Sequence, residues 1–274
     1  MALVIQTNVA SLQAQKNLNA TQNRLNTSFG RLSSGNRINT AKDDAAGLAI
    51  SESMGAQVRS YSVAERNAGD GISMAQTAEG ALGEISGIIG RMRELAMQAS
   101  NGSLLSADRN FIQTEFSNLQ AETKRIMTST KFNGKQLITS SSRTEDFQVG
   151  ILNTGDDRIT MTFGGIALQS LTSVARVNSG PGNARGALDT IDSALAKVST
   201  ARSRFGAAIN RLEVTSSNIQ TVRLNLSAAK SRIKDVDVAD ETASLSRQQV
   251  LTQAGTSVLS QANSAPQTAL SLIR

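Results

Sequence analysis

Residues Tyr61 to Ser100 read YSVAERNAGDGISMAQTAEGALGEISGIIGRMRELAMQAS, and their spacing decides the fold. Stepping three and then four positions from Tyr61 lands on Ala64, Ala68, Gly71, Ala75, Ala78, Leu82, Ile85, Ile89, Met92, Ala96 and Ala99, nearly all of them small or apolar. A seam this strict marks a helix that faces partners along one side, as in a coiled coil. The turn residues Asn101-Gly102-Ser103 break it. One helix from Asp44 to Ser100 would span roughly 85 Å at about 1.5 Å per residue.

A second long stretch lies further along the chain, with Ile191, Val198, Phe205, Leu212, Ile219, Leu226 and Ile233 at one heptad position. The alternate position holds Leu188, Leu195 and Ile209, but also Arg202, Ser216, Arg223 and Lys230, so that edge is expected to meet solvent or a polar partner. A shorter helix carries Ile112, Phe116, Leu119, Thr123 and Ile126, with Ser106 or Asp108 as its N-cap. Residues 140 to 182 change character. Phe147, Val149 and Ile151 alternate, Asn153-Thr154-Gly155-Asp156-Asp157 turns, and Ile159, Met161 and Phe163 alternate again, which predicts a β-hairpin. Gly180-Pro181-Gly182 reads as a linker into the second long helix.

Composition agrees with slender helices rather than a thick core: of 274 residues 39% are apolar and only 3% aromatic. Cys and His are both absent, which removes thiol nucleophiles, disulfides, most zinc sites and every histidine-based acid or base. No cofactor or metal is expected, nor an enzyme, because no convergent polar site is visible. Ser33-Ser34-Gly35 and Asp43-Asp44 read as a turn and a helix N-cap, lacking any base or third ligand. The formal charge of +6 is scattered among acidic and polar residues, and with one Tyr there is little for bases to stack on, so nucleic-acid binding is not expected. Neither a cleavable signal peptide nor a membrane-inserting segment is expected.

Both ends carry thin amphipathic stripes. Ile5, Val9 and Leu12 keep helical spacing, and Leu18, Leu25, Phe29 and Leu32 resume it after a phase shift. Leu251, Gly255, Val258, Ala262, Ala265, Ala269 and Leu272 form a matching stripe. Isolated helices with so little apolar surface are marginal, so both ends are expected to be disordered in a free monomer and to order only against neighbours.

The residues that follow these helices resemble a known family. Leu32-Ser33-Ser34-Gly35-Asn36-Arg37-Ile38-Asn39, Asp43-Asp44-Ala45-Ala46-Gly47-Leu48-Ala49-Ile50, Gln76-Thr77-Ala78-Glu79-Gly80-Ala81-Leu82, Arg91-Met92-Arg93-Glu94-Leu95-Ala96 and Phe132-Asn133-Gly134-Lys135 are similar to bacterial flagellin motifs. So are Asn210-Arg211-Leu212-Glu213, Ser231-Arg232-Ile233-Lys234-Asp235-Val236-Asp237 and the closing Leu272-Ile273-Arg274.

The resemblance implies a short flagellin without large variable outer domains: a mainly α, long antiparallel coiled-coil-like bundle with a small β-hairpin, both termini forming paired helices in the assembled filament. Residues 1–43 and 235–274 would form an inner-tube domain. Residues 44–139 and 183–234 would form an outer-tube helical domain, with 140–182 as its hairpin and linker. The implied polymerisation residues are Ile5, Val9, Leu12, Leu18, Leu25, Leu32, Leu251, Val258, Ala262 and Leu272. Partners would be many copies of the same chain, the flagellar export apparatus, a chaperone on the C-terminal helix, and the filament cap and hook-filament junction proteins. Export would be type III, without cleavage, to an extracellular flagellum. Arg91, Leu95 and Glu115 fall where the family's innate-receptor surface lies, making a host innate receptor a further partner. Other readings are another axial protein, such as a hook-filament junction protein, or a secreted coiled-coil adhesin. Asn19-Ala20-Thr21, Asn26-Thr27-Ser28, Asn101-Gly102-Ser103 and Asn225-Leu226-Ser227 also match the N-glycosylation pattern, a match that arises easily in a Ser- and Thr-rich helical chain.

Overall fold

A computed structural model describes residues 7–168, 171 and 176–271, with 265–271 as backbone only. The described elements, in chain order, are α1 (Val9–Ser34), α2 (Ala45–Ala99), α3 (Ser106–Ser129), β1 (Lys131–Phe132), β2 (Lys135–Gln136), β3 (Arg143–Gln148), β4 (Arg158–Phe163), α4 (Pro181–Lys234) and α5 (Val238–Ser271). The chain packs as two units. Unit 1 is Met1–Val58 with Leu224–Arg274, and unit 2 is Arg59–Arg223.

Unit 2 owns almost the whole apolar core. The α2 seam is buried from Ala64 to Ala99, with Tyr61 half-buried. Ile112 and Phe116 of α3 pack into it, as do Ile191, Val198, Phe205, Leu212 and Ile219 of α4. The alternate α4 edge meets polar partners on α2: Arg202 donates to Glu79 at 2.7 Å, and Arg223 pairs with Glu65, which also accepts from Gln220 at 2.8 Å. Arg93 and Asp192 close a third pair at 2.7 Å. On α2 these partners sit two heptads apart, at 65, 79 and 93, so they mark one antiparallel register beside the seam.

The hairpin forms in the register Phe147↔Ile159 and Gln148↔Arg158, with Ile159, Met161 and Phe163 buried at every second position. Phe163 packs on Phe205 with ring centroids 5.3 Å apart. Val149 and Ile151 fall outside β3, in the turn, because Asp157 draws the chain round: its backbone oxygen accepts from Val149 and Gly150, and its carboxylate from Leu152 and Thr154. Two local expectations shift. The N-cap of α3 is Leu105, one residue before Ser106, and Asp108 serves at N3 by accepting the Leu105 N–H at 3.2 Å. Pro181 lies within α4 as its first residue, where a missing N–H costs nothing. An additional hairpin, β1 with β2, turns on Asn133 (φ 47) and Gly134 (φ 77), the left-handed pair that a two-residue turn requires.

Unit 1 pairs α1 with α5 and closes the ends of α2 and α4. Gly35 (φ 70) caps α1 in the left-handed conformation, and its carbonyl accepts from Val236. Arg37 donates its N–H to the Lys234 carbonyl at 2.7 Å and its guanidinium to the Ile233 carbonyl at 2.8 Å, satisfying the last turn of α4. Asp43 accepts from the Asn39 and Thr40 amides and the Thr40 hydroxyl. Asp44 accepts the Gly47 N–H at 2.9 Å and caps α2.

Candidate assembly interface

Helices α1 and α5 run antiparallel, as the contacts Asn8 to Ala262, Ser11 to Asn263 and Arg31 to Glu241 show. Their mutual seam mixes leucines with small and polar residues. On α1 it runs Ser11, Ala14, Leu18, Thr21, Leu25, Ser28 and Leu32; on α5 it runs Glu241, Leu245, Gln248, Thr252, Gly255, Leu259 and Ala262. Gly255 sits where a Cβ would come 3.1 Å from Leu18 Cδ1, so its lack of a side chain sets the close approach. Most of these positions are only half-buried, and Ser28 and Gln248 are the fully buried ones on the described parts of the two helices.

The residues singled out by the terminal stripes therefore divide. Leu18, Leu25, Leu32 and Ala262 lie in the seam. Val9, Leu12, Leu251 and Val258 face outward, at 66%, 58%, 47% and 57% exposure. Phe29 and Val250 join them. Ile5 and Leu272 lie outside the described residues, as do the side chains of Ala265 and Ala269. A groove between the helices is floored by Ala14, Leu18, Leu251, Ala254 and Val258. So many large apolar side chains in solvent on one helix pair mark a surface built to be covered.

Arg91, Leu95 and Glu115 differ in role. Arg91 reaches Glu115 of α3 and Glu94 of its own helix, at 2.9 and 2.8 Å, in an exposed cluster. Leu95 is 2% exposed and belongs to the core. Unit 2 also exposes Leu105 and Phe111, which no periodicity argument selected; Phe111 stands one turn from Glu115 on the face beside the buried stripe Ile112–Phe116. Among the described residues there is no cluster of metal-ligating side chains, and no helix is long and apolar enough to cross a membrane.

These features define a helical structural protein whose second unit holds the apolar core and whose first presents an open apolar face. Known proteins agree. The description "Bacterial flagellin N-terminal helical region" matches residues 5–143, and "Bacterial flagellin C-terminal helical region" matches residues 188–273. A flagellin of Halalkalibacterium halodurans is 43% identical, over 99% of this chain and 100% of its own. The flagellar filament 33 kDa core protein of Treponema phagedenis is 38% identical, with the same two coverages. The crystal structure of Bacillus cereus flagellin aligns at a TM-score of 0.50 and 29% identity, over 60% of this chain and 94% of that one. The chain belongs to the bacterial flagellin family and is a structural subunit of the flagellar filament.

Proposed function

We propose that the chain assembles head to tail through two contacts, one made by each unit, and that its work is mechanical rather than catalytic. Residues 1–43 and 235–274 line the inner tube, and 44–139 with 183–234 form the outer tube, to which 140–182 belongs. The observation that carries this reading is the contrast in burial: the described parts of α1 and α5 contribute no residue to the apolar core, while Val9, Leu12, Leu251 and Val258 stand in solvent. Neighbouring copies supply the missing burial, so order in the terminal pair is coupled to assembly.

Unit 2 supplies the second contact. Leu105 and Phe111 are 71% and 76% exposed beside the carboxylates of Asp108 and Glu115, where the start of α3 packs along the end of α2. At the beginning of its α2 segment, Arg59, Val63 and Arg66 form an i, i+4, i+7 stripe next to a groove lined by Val63, Ala64, Ile151 and Leu152 together with Ser60, Asn67, Gln148 and Asn153. An apolar knob flanked by carboxylates and a groove with apolar side chains flanked by guanidinium groups complement each other between two copies. A heterologous contact whose rotation does not close propagates as a helical filament.

The family's export and accessory partners fit the same logic. A C-terminal helix with apolar residues standing in solvent is a substrate for a chaperone before type III export, and the cap and hook-filament junction proteins meet the same exposed faces at the filament ends. A host innate receptor would read the Arg91–Glu94–Glu115 cluster, with Leu95 supporting it from within. Receptor activation by depolymerised protein, compared between wild type and Arg91→Ala, tests that part; equal signals would remove it.

The assembly test uses two truncations, removing residues 1–20 or 255–274. Each is expected to remain helical and soluble and to form no filaments when seeded. Filaments in electron micrographs of either truncation would overturn the proposal.

A further inference from the structure

We infer that Asn101 is a site of spontaneous deamidation, in which the Gly102 amide attacks the Asn101 carboxamide and Arg109 promotes the attack. The chain has two Asn-Gly pairs, at 101 and at 133, and their surroundings differ. Asn101 and Gly102 are exposed in the turn between α2 and α3, and a Cβ at Gly102 would meet nothing within 4 Å, so a nucleophilic backbone nitrogen is unhindered. The Asn101 side-chain oxygen accepts from the Ser103 N–H at 3.2 Å, which folds the carboxamide forward over its own following peptide. The Gly102 N–H forms no hydrogen bond among the described residues.

The decisive contact is on the other side of that peptide. Arg109, itself only 8% exposed, donates to the Asn101 backbone carbonyl at 2.9 Å and to the Ala99 carbonyl at 3.2 Å. That Asn101 carbonyl belongs to the same amide as the Gly102 nitrogen. When the nitrogen loses its proton to solvent base, the negative charge collects on this oxygen, and a half-enclosed guanidinium stabilises it. The nitrogen then bonds to the Asn101 side-chain carbonyl carbon, the carboxamide C–N bond breaks, and ammonia leaves. Water opens the resulting five-membered imide at either carbonyl, giving aspartate or isoaspartate at position 101 and a new negative charge.

Asn133 is the internal control. It is held at φ 47 between paired strands, and no guanidinium donates to its carbonyl among the described residues. The inference does not depend on filament assembly.

The test is peptide mapping by mass spectrometry of the purified full-length chain during incubation in mildly alkaline buffer, with aspartate and isoaspartate products separated by chromatography. Both products are expected to accumulate at 101 several-fold faster than at 133. Gly102→Ala should suppress the reaction at 101. Arg109→Gln should slow it several-fold while leaving 133 unchanged; if circular dichroism shows that this variant has lost helix, Arg109→Lys, which keeps a charged donor, takes its place and should hold most of the rate. Equal rates at the two sites overturn the inference. So does an Arg109→Gln variant that keeps its helix and its rate, or a folded Arg109→Lys variant no faster at 101 than at 133.

Discussion

Units 1 and 2 are built from the same kind of element, antiparallel helices with residues recurring every three and four positions, yet they are held together differently. Unit 2 fills its seam with Leu82, Ile85, Ile89, Met92, Phe116, Ile191 and Phe205, all buried. It also brackets that seam with ion pairs. In unit 1, Ser, Thr, Ala and Gln share the α1–α5 seam with half-buried leucines, and other large apolar residues, among them Val9, Leu12, Leu251 and Val258, are turned outward. Heptad spacing says that helices will meet; side-chain identity at the meeting positions says whether the meeting stabilises the chain alone. Apolar burial supplies about 25 cal/mol per Å², so on the proposed reading unit 2 should be stable by itself and unit 1 only in company.

The sharpest way to test that contrast is one apolar truncation in each unit. Phe116→Ala, removing a fully buried ring, should cost about 3–5 kcal/mol by thermal or denaturant unfolding of the soluble chain. Val258→Ser, at a position 57% exposed, should change the same measurement by less than about 0.5 kcal/mol. Seeded sedimentation should reverse the order, with Val258→Ser polymerising poorly. If both substitutions move the monomer's unfolding alike, the distinction between the units fails.

A smaller effect is expected where α2 begins. Alanine normally improves a glycine inside a helix, but a Cβ at Gly47 would come 2.4 Å from Asp44 Oδ2 and 2.8 Å from Ile38 Cδ1. Gly47→Ala should therefore displace the cap and cost about 1 kcal/mol, read by the same unfolding assay; a stabilised variant would show that the cap is dispensable. Smaller still is the effect on unit 2's ion pairs. Arg202→Ala, opposite Glu79 on an exposed edge, should cost no more than about 1 kcal/mol, and high salt should shrink the difference.

Acid sharpens the comparison in another way. The Arg93 guanidinium hydrogen-bonded to Asp192 holds that carboxyl below its ordinary value of 3.8, and the Thr40 amide does the same for Asp43. Because these folded values are depressed, their stabilisation is fully present above the ordinary value and is lost as pH falls through the lower folded one. Unfolding measured from neutral pH downward should show stability falling in that window, and Asp192→Asn should flatten part of the decline.

Much of unit 2 could be read from the residues, since a seam with no polar interruption leaves one face to bury. Arg202 and Arg223 were recognisable as seam exceptions, but their partners Glu79 and Glu65 lie more than a hundred positions away, and only the antiparallel register brings them together. The second hairpin carried a local signal, Asn133-Gly134, whose turn geometry could have been named in advance. Leu105 and Phe111 carried none, because exposure of a single apolar residue depends on what packs around it.

At the terminal pair the division is clearest. The spacing of apolar residues determined that both ends are amphipathic helices, and it selected Val9, Leu12, Leu251 and Val258 as the residues that matter. Only the tertiary structure decided that α1 and α5 meet through Leu18, Leu25 and Leu32 together with Ser11, Thr21, Ser28, Gln248 and Thr252, leaving those four outside. Periodicity reports which residues share a face, whereas the choice of face depends on how closely two backbones can approach, and small residues such as Ala14 and Gly255 allow the nearest approach.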